Sequence, residues 1–146
     1  EIGALRGEAG IPTKEFSTLV QCEKKIPKEV QMLTGLTNCD LDDNGKPLKQ
    51  ALEELFVFAG EHIIIGHNVM FDYNFIRIAC RKLGIEMQLG TASKDTLALS
   101  RRKIKGVGSY QLEALMKHLG YEVSNAHRAL PDCYLTYQLY QKLNEM

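Results

Sequence analysis

Two aspartates each head a stripe of apolar residues at helical spacing, which is an unusual place for an acidic side chain. Asp72 begins the first stripe and Asp132 the second, and in both the apolar residues follow at steps of three, four and four. Residues at these steps share one helix face, so both carboxylates are expected to point toward the sheet. The apolar members are Phe75, Ala79 and Leu83 in the first stripe and Leu135, Leu139 and Leu143 in the second.

A carboxylate on an inward face needs a partner, because taking it out of water costs several kcal/mol. One explanation is that each acid caps its own helix, where an aspartate contributes about 0.5–2 kcal/mol. The other is that the acids bind metal, since hard divalent cations prefer carboxylate oxygen. Capping is the simpler explanation for one such acid alone, whereas two acids in the same arrangement favour the metal site.

A histidine lies upstream of each acid. His67 and Asn68 fall between an apolar strand and the first of the two helices, the position at which open α/β sheets bind ligands. His127 precedes the second acid by five residues, and an imidazole with its ordinary pKa of about 6.5 can take a proton from a metal-bound water. The other two histidines, His62 and His118, are interpreted as structural.

Strands and helices alternate along the chain, which predicts an α/β domain with a mixed sheet flanked by helices. The hairpin is expected at residues 2–5 and 15–20, followed by a short helix over 27–33, a loop over 38–45 and a helix over 47–59. A strand at 63–65, covered on both faces, then precedes a helix over 71–83 and a strand at 96–99. Ser109 is expected to cap a helix that Gly120 ends, and the last helix covers 129–143.

Composition fits one soluble globular domain covering residues 1–146, since 45% of the residues are hydrophobic and 25% are charged. Basic and acidic residues balance at 18 each, so any nucleic-acid contact must be local rather than driven by overall charge. No apolar run approaches the roughly 20 residues of a membrane span, and no signal peptide is recognisable. The expected location is the cytoplasm, without a membrane partner.

The four cysteines are far apart in sequence and form no CxxC pair. That spacing excludes the common zinc motifs. Reduced, mostly buried thiols are therefore expected. The residues concerned are Cys22, Cys39, Cys80 and Cys133.

Two segments resemble motifs of the DEDDh (DnaQ-like) 3′→5′ exonuclease family. Residues 63–76, IIIGHNVMFDYNFI, resemble its second motif with the core HNxxFDxxF, and residues 127–132, HRALPD, fit its HxAxxD signature. The second segment follows Asn125 and Ala126, and its Pro131 departs from the usual residue but is sterically acceptable in a first helical turn. Weaker similarity covers residues 16–20, 26–37, 95–101 and 109–112, so the resemblance spans nearly the whole chain.

The resemblance implies an RNase H-like fold and hydrolysis of phosphodiesters from the 3′ end of single-stranded or frayed DNA. Asp72 and Asp132 are then ligands of two divalent metals, Mg²⁺ or Mn²⁺, and His127 is the general base. Two such ions about 3.5–4 Å apart can activate water and stabilise the departing oxygen.

The resemblance also places several residues at the terminal nucleotide. His67 and Asn68 are expected to contact it, Phe71 to pack beside it and Leu36 to wedge against its base. Ordinary core packing is an equally good explanation for Phe71 and Leu36. The basic residues at 101–105 either contact phosphates or form a solvated loop.

The first motif of the family, D-x-E, is not found in this sequence. In family members it lies on a strand upstream of the EIGA segment that begins here with Glu1, and Glu1 itself is not the motif acid. That strand would sit between the hairpin and the 63–65 strand, so unpaired sheet edges are expected without it. The parent protein is expected to supply it upstream.

Three functional hypotheses stay open at this stage. The first is a proofreading or end-trimming exonuclease, either alone or with a polymerase or a CRISPR integrase as its fused or associated partner. The second is a catalytically inactive nucleic-acid-binding or assembly module. The third is an RNA-trimming exonuclease of the same family.

Overall fold

The structure is a computed structural model that describes residues 1–124 and 127–146. Four strands and seven helices are defined there. In chain order they are β1 (Ile2–Glu8), β2 (Ile11–Thr18), α1 (Lys28–Thr34), α2 (Asn38–Asn44), α3 (Leu48–Ala59), β3 (Ile64–Gly66), α4 (Val69–Leu83), β4 (Ser93–Asp95), α5 (Thr96–Lys103), α6 (Leu112–His118) and α7 (Ala129–Glu145). None of the described helices combines the length and apolar character needed to cross a membrane.

The predicted hairpin is confirmed, with longer strands than expected. β1 and β2 pair antiparallel around a turn in which Ala9 and Gly10 both have positive φ, the requirement of a tight two-residue hairpin turn. The register shifts after Arg6, so that Thr13 is an extra residue on β2. Its hydroxyl donates to the Arg6 carbonyl at 3.2 Å, and this β-bulge increases the local twist of the hairpin.

The described strands form two separate two-stranded sheets rather than one continuous sheet. The antiparallel pair is β1–β2, and the parallel pair is β3–β4. Among the described residues, one edge of β1 and one edge of β3 therefore carry no strand partner, as the sequence predicted. Helix α7 contacts β1, β2 and β3 and so joins the two sheets.

Glycines of β1 allow α7 to approach this closely. A Cβ added to Gly3 would lie 2.7 Å from the backbone carbon of Ala129, and one added to Gly7 would lie 2.5 Å from the Tyr137 ring. Any side chain at Gly3 would clash with backbone atoms, which cannot move aside as a flexible side chain can. Glycine at these positions thus fixes the distance between the hairpin and the start of α7.

The apolar residues beside the unpaired edge of β3 are less covered than the sequence predicted. Ile63 is 55% exposed and Ile65 36% exposed, so the expectation of a strand covered on both faces is wrong for the described residues. The first apolar stripe is affected in the same way, because Phe75 is 57% exposed and Leu83 is 37% exposed while only Ala79 is buried. The physical reason is that α4 buries a different face, which packs against α3.

The second stripe is buried as predicted. Leu135, Leu139 and Leu143 of α7 all lie in one core cluster, where they pack with Leu115 and Met116 of α6. Burying a leucine side chain contributes roughly 1.5–3 kcal/mol, so this cluster fixes the orientation of α7 and of the acid at its start.

Residues 38–44 form helix α2, so the predicted loop is wrong. One of the aspartates that suggested a loop, Asp40, instead completes a capping box. Thr37 is the N-cap, and its hydroxyl accepts from the Asp40 backbone N–H at 3.2 Å, while the Thr37 N–H donates to Asp40 Oδ2 at 2.8 Å. Such reciprocal bonds satisfy two N–H groups that a helix start leaves free.

Residues 96–99 were predicted as a strand and are the first turn of helix α5. The strand is β4, directly upstream, and it ends at Asp95, which is the N-cap of the helix. The predicted cap at Ser109 is also wrong. Helix α6 begins three residues later with Gln111 as its N-cap, and the Ser109 hydroxyl accepts from the Gln111 N–H at 3.2 Å.

All four cysteines are free, and they divide into two exposed and two covered thiols. Cys22 and Cys39 are exposed, so the prediction of mostly buried thiols is wrong for this pair. Cys80 is buried between α3 and α4, and Cys133 is partly buried on α7.

Candidate active site

The first acid lies at the start of α4, after a turn with unusual backbone geometry. Asn68 is left-handed, with φ 65° and ψ 51°, a conformation that asparagine tolerates better than most residues. Asp72 follows in the first helical turn. Asp72 is exposed to solvent. Partial desolvation by the surrounding protein still raises the pKa of its carboxyl, and the negative charge of Asp95 adds to that effect.

Asp95 holds the turn in place. Its Oδ1 accepts from the Asn68 backbone N–H at 2.8 Å and from the Leu97 backbone N–H at 2.9 Å. One carboxylate oxygen therefore ties the start of α4 to the start of α5. The sequence contained the signal, an aspartate before a helical segment, but the interpretation of residues 96–99 as a strand concealed it.

His67 uses both ring nitrogens within the protein. Its Nε2 lies 2.8 Å from the Tyr110 carbonyl and its Nδ1 2.9 Å from the Thr96 hydroxyl. A carbonyl only accepts, so Nε2 carries the proton and Nδ1 accepts from Thr96. Burial lowers the pKa of this imidazole, which favours that neutral form. The contacts of the ring nitrogens give His67 a role in holding the turn.

The second acid lies in the first turn of α7, a helix whose N-cap is Arg128 and which has no side-chain cap. Oδ1 of Asp132 accepts from the His127 backbone N–H, upstream of the helix, at 3.2 Å. Burial raises the pKa of Asp132, and the carboxylates of Glu1 and Glu113 add to the rise, against the opposing effects of that hydrogen bond and of His127. Capping therefore does not explain this acid, and its Oδ2 makes no hydrogen bond to the residues that the structure describes.

His127 begins the turn that leads into α7. It has a positive φ of 72°, and its ring is exposed, with Nε2 3.4 Å from Oε2 of Glu113. The two motif residues before it, Asn125 and Ala126, lie outside the described residues. His127 is thus bound to Asp132 through its backbone, whereas its imidazole is open to solvent.

Glu1 fixes the same turn from the other side. Its Oε1 accepts from the Ala129 backbone N–H at 2.8 Å, and its Oε2 accepts from the Arg128 guanidinium at 2.9 Å. A carboxylate at a helix N-terminus is stabilised by the unsatisfied N–H groups there. Sequence reasoning did not assign this role to Glu1, because the contact joins residues at opposite ends of the chain.

Cys133 follows Asp132 directly in α7. Burial raises the pKa of this thiol to about 12, and the negative charges of Asp132, Asp72 and Glu1 add to that rise. Both aspartates therefore affect the same thiol, while their shared site stays a prediction. His127 lies beside this pair through its contact with Asp132.

The carboxylate oxygens of Asp72 and Asp132 suit a hard divalent cation, but two residues are few ligands for a metal site. Within residues 1–124 and 127–146 no group of three or more His, Cys, Asp or Glu side chains could hold a metal ion. Mg²⁺ is often bound by one or two carboxylates together with water and substrate phosphate. Asp72 and Asp132 fit that minimum.

The remaining predicted residues separate into exposed and buried ones. Phe71 is 68% exposed, whereas Leu36 is only 9% exposed, as core packing requires. An open cavity of about 500 Å³ lies beside the start of α7, and Thr34, Gly35 and Arg128 contribute to its lining. Gly35 has φ 75°, and a Cβ there would meet no atom within 4 Å, so this turn borders open space.

Replacing Asp95 by alanine is expected to destabilise the protein by about 0.5–2 kcal/mol, the usual loss for an N-cap aspartate. Asp95→Asn should retain most of this stability, because its carbonyl oxygen can still accept from both N–H groups. Urea unfolding of the two variants measures the difference. Equal stability of Asp95→Ala and the unmodified protein would contradict the bridging role.

Thiol reactivity is expected to follow exposure and charge. At neutral pH a thiol-specific reagent should label Cys22 and Cys39 rapidly and Cys133 slowly, since a thiol with a raised pKa forms little thiolate. Mass spectrometry of peptides after timed labelling identifies the modified residues. Rapid labelling of Cys133 would show that it is not enclosed by the three carboxylates.

Comparison with known proteins gives a consistent family assignment. The exonuclease family model RNase_T matches residues 1–140. The chain is 35% identical to the DNA polymerase III subunit epsilon of Aquifex aeolicus, over 99% of this chain and 71% of that protein. It is 32% identical to a PolC-type DNA polymerase III of Thermotoga maritima and 29% identical to the 3′-5′ exonuclease DinG of Bacillus subtilis, but it spans only 10% and 15% of those proteins.

The fold also matches a solved structure of Exonuclease X in complex with 5′-overhanging duplex DNA. The TM-score is 0.75 at 21% identity, covering 98% of this chain and 80% of the other. This likeness confirms the RNase H-like fold, with the first central strand absent from the described residues. From the family match over residues 1–140 and the epsilon relative, we conclude that the chain belongs to the DnaQ-like exonuclease family.

Proposed function

We propose that this chain is most of the catalytic domain of a metal-dependent 3′→5′ exonuclease acting on single-stranded or frayed DNA. Residues 1–146 form one such domain, incomplete at its N-terminus. The observation that carries the proposal is the match of residues 1–140 to an exonuclease family, in a chain with Asp72 and Asp132 in the first turns of α4 and α7. Carboxylate oxygens are the ligands that hard divalent cations prefer.

Asp72 and Asp132 would hold Mg²⁺ or Mn²⁺ together with the substrate phosphate. When bound, such an ion supplies charge stabilisation for the phosphodiester and for the departing 3′ oxygen. Burial raises the pKa of each acid, so both are protonated more readily than a free aspartate as the pH falls. Metal and substrate should therefore bind more weakly as the pH falls and the acids become protonated.

His127 acts as the general base. Its exposed ring can turn on the flexible χ angles of the side chain, while the backbone contact with Asp132 keeps it beside the reaction site. The imidazole takes the proton of the attacking water, and the pair of acids stays ionised. Glu1 supports this arrangement by holding the turn that carries His127.

The terminal nucleotide occupies the open space in front of the acids. Phe71 offers an exposed apolar ring, and Asn68 an amide at the start of α4. Thr34 and Gly35 border the cavity beside α7. His67 contributes by holding the turn rather than through a free ring nitrogen, and Leu36 contributes packing beneath the cavity rather than a direct wedge.

A strand from the full-length protein fills the gap between the two sheets and carries the two further acids of the family pattern. The unpaired edges of β1 and β3 and the exposed side chains of Ile63 and Ile65 support this proposal. A buried strand there would satisfy both edges and cover the apolar residues. It would also complete the metal ligands that the described residues lack.

Proofreading is the biological setting that the relatives favour. Several are named as DNA polymerase III subunits or polymerases of the PolC type. We infer a polymerase as the fused or associated partner and DNA rather than RNA as the substrate. A catalytically inactive module is the second candidate, because no three-ligand metal group is found in the described parts of the chain.

The proposal is tested by incubating the full-length protein with DNA or RNA labelled at either the 3′ or the 5′ end. With Mg²⁺ or Mn²⁺, the 3′ label should appear as mononucleotide at once, and the 5′ label as a ladder of shortening strands. A chelator should stop both. Digestion of RNA but not DNA would identify RNA as the substrate. No digestion with either metal would favour the catalytically inactive module.

A further inference from the structure

The longest concentration of positive charge outside the candidate active site runs along β4 and α5. Residues 94–105 contain five basic side chains and one acid, in a chain whose basic and acidic residues number 18 each overall. We call this the α5 basic surface; it consists of Lys94, Arg101, Arg102, Lys103 and Lys105. Within the described part of the chain, none of the five forms a salt bridge with a carboxylate.

The only acid in residues 94–105, Asp95, already accepts two backbone hydrogen bonds. Asp95 accepts hydrogen bonds from the backbone at Asn68 and Leu97. Its charge is therefore partly compensated by two N–H groups rather than by the neighbouring lysine or arginines. The net charge of the α5 basic surface consequently remains positive.

Part of this surface lines an open cavity of about 430 Å³ between α5 and the last turns of α7. The cavity combines cationic groups from Lys94 and Arg102 with polar groups from Tyr140 and Asn144. Its volume lies within the range of about 300–1,000 Å³ found for ligand pockets. These groups suit a small anion that keeps part of its hydration shell where the cavity opens to solvent.

Lys94 lies beside Tyr140 in this cavity. Its ammonium is 5.7 Å from the centroid of the Tyr140 ring, and polar interaction first with Lys94 and then with Asn144 lowers the pKa of the phenol. Lys103 is less available, because its Nζ donates to the Leu143 carbonyl at 2.5 Å. Arg102 and Lys94 are thus the principal cations that an incoming anion would meet.

The surface begins beside the candidate active site. The charge of Arg101 helps to lower the pKa of His67, although burial is the larger cause. Asp95, which lines the cavity, also binds the turn that leads to Asp72. Asp95 and Arg101 thus connect the α5 basic surface to the turn that leads to Asp72.

We propose that the α5 basic surface binds backbone phosphates of single-stranded DNA, upstream of the nucleotide at the active site, with Arg102 and Lys94 as the main contacts. This inference rests on the proposed function, since it assigns a path to the rest of the same substrate. Several cations spread over β4, α5 and the residue after Ile104 can contact successive phosphates, whereas a single small anion would engage only the cavity. Phosphate contacts of this kind add affinity without reading sequence.

The experiment measures the salt dependence of DNA binding by the full-length protein. A labelled single-stranded oligonucleotide is titrated in the presence of a chelator, which prevents metal-dependent cleavage, at several salt concentrations. Each phosphate contact contributes about 0.7 to the slope of log K against log salt for a single strand. Replacing Arg102 and Lys94 by glutamine together should therefore reduce the slope by about 1.4.

The matched control is Lys82→Gln, which removes the same charge from an exposed residue in the last turn of α4. Ten residues separate it from Asp72 on that helix, a distance of about 15 Å at 1.5 Å per residue. The control should leave the slope unchanged. A second readout compares KM for a long strand with KM for a dinucleotide, which is too short to reach Arg102.

The double variant should raise KM for the long strand several-fold while leaving kcat and the dinucleotide KM unaltered. An unchanged slope and an unchanged long-strand KM in an active protein would overturn this inference and leave the proposed function intact. Equal losses with the dinucleotide would overturn it too, because the residues would then act at the active site. Failure of the unmodified protein to bind or digest DNA would overturn both proposals.

Discussion

Asp132→Asn is expected to lower kcat by more than about 100-fold, because even residues that only support metal ligands cost 10–100-fold when they are changed. The substitution removes one of the two carboxylates that are proposed to bind the metal. Asparagine retains an oxygen that can accept from the His127 N–H, so the start of α7 should keep its structure. Single-turnover digestion of a labelled DNA strand at saturating Mg²⁺ measures the loss.

Stability provides the control that separates lost metal binding from misfolding. The pKa of Asp132 is raised in the folded protein, so its contribution to stability is present at low pH and is lost as the pH rises through that raised pKa. At neutral pH without metal, Asp132→Asn should thus unfold at the same temperature as the unmodified protein or at a higher one. Stabilisation by added Mg²⁺, which follows from binding to the folded state, should be reduced.

A matched substitution tests whether the loss of any carboxylate lowers turnover and stabilisation by Mg²⁺. Asp43→Asn changes an exposed acid of α2 that is part of neither helix carrying the candidate ligands. It should leave turnover and metal stabilisation unaltered. Full activity of Asp132→Asn, or equal loss in Asp43→Asn, would contradict the role assigned to Asp132.

His127→Ala is expected to reduce kcat by about 10²–10⁴-fold, the contribution of a positioned general base. KM should change little, because the imidazole is assigned to the attacking water rather than to the nucleotide. The measurement is the pH dependence of kcat for both proteins. The rise in rate that accompanies deprotonation of an imidazole should disappear in the variant.

The fold of His127→Ala should be preserved. The ring makes one exposed contact with Glu113 at 3.4 Å, and such surface pairs contribute only about 0–1 kcal/mol. The hydrogen bond to Asp132 comes from the backbone and survives the change. His118→Ala, which removes an exposed histidine from the end of α6, is the control and should be fully active. A variant at position 127 that retains activity and the same pH profile would rule out the imidazole as base.

Helices with strong signals at both ends were predictable from sequence. The helix that begins after Pro47 ends at Gly60, and the helix ahead of Gly84 ends there, as their spacing indicated. The buried stripe of α7 was equally clear, since its leucines repeat through four turns. In each case local preference and burial favour the same structure, which is the condition for reliable inference.

The errors arose where a polar residue had two structural uses. Asparagine and aspartate at 38–45 suggested a loop, but Asp40 completes a capping box with Thr37. Thr96 and the residues after it have the composition of a strand, yet the cap formed by Asp95 starts a helix there. A side-chain hydrogen bond to a neighbouring N–H decides between the two structures, and composition alone does not contain that geometry.

Some residues of the candidate site could be predicted from sequence and others could not. The helices that carry Asp72 and Asp132 in their first turns could be predicted, while the role of the two acids as a metal site stays a prediction. The roles of Asp95 and Glu1 could not, since both depend on contacts between segments that are distant in sequence. The orientation of α4 also escaped prediction, because its packing against α3 competes with the stripe headed by Asp72.

Anomalous diffraction from crystals of the full-length protein with Mn²⁺ tests most directly whether the acids of α4 and α7 share one metal site. The account predicts manganese bound by carboxylate oxygens of both Asp72 and Asp132, with His127 beside it. Manganese bound by only one of these aspartates, or electron density showing their carboxylates on different faces of the molecule, would contradict it.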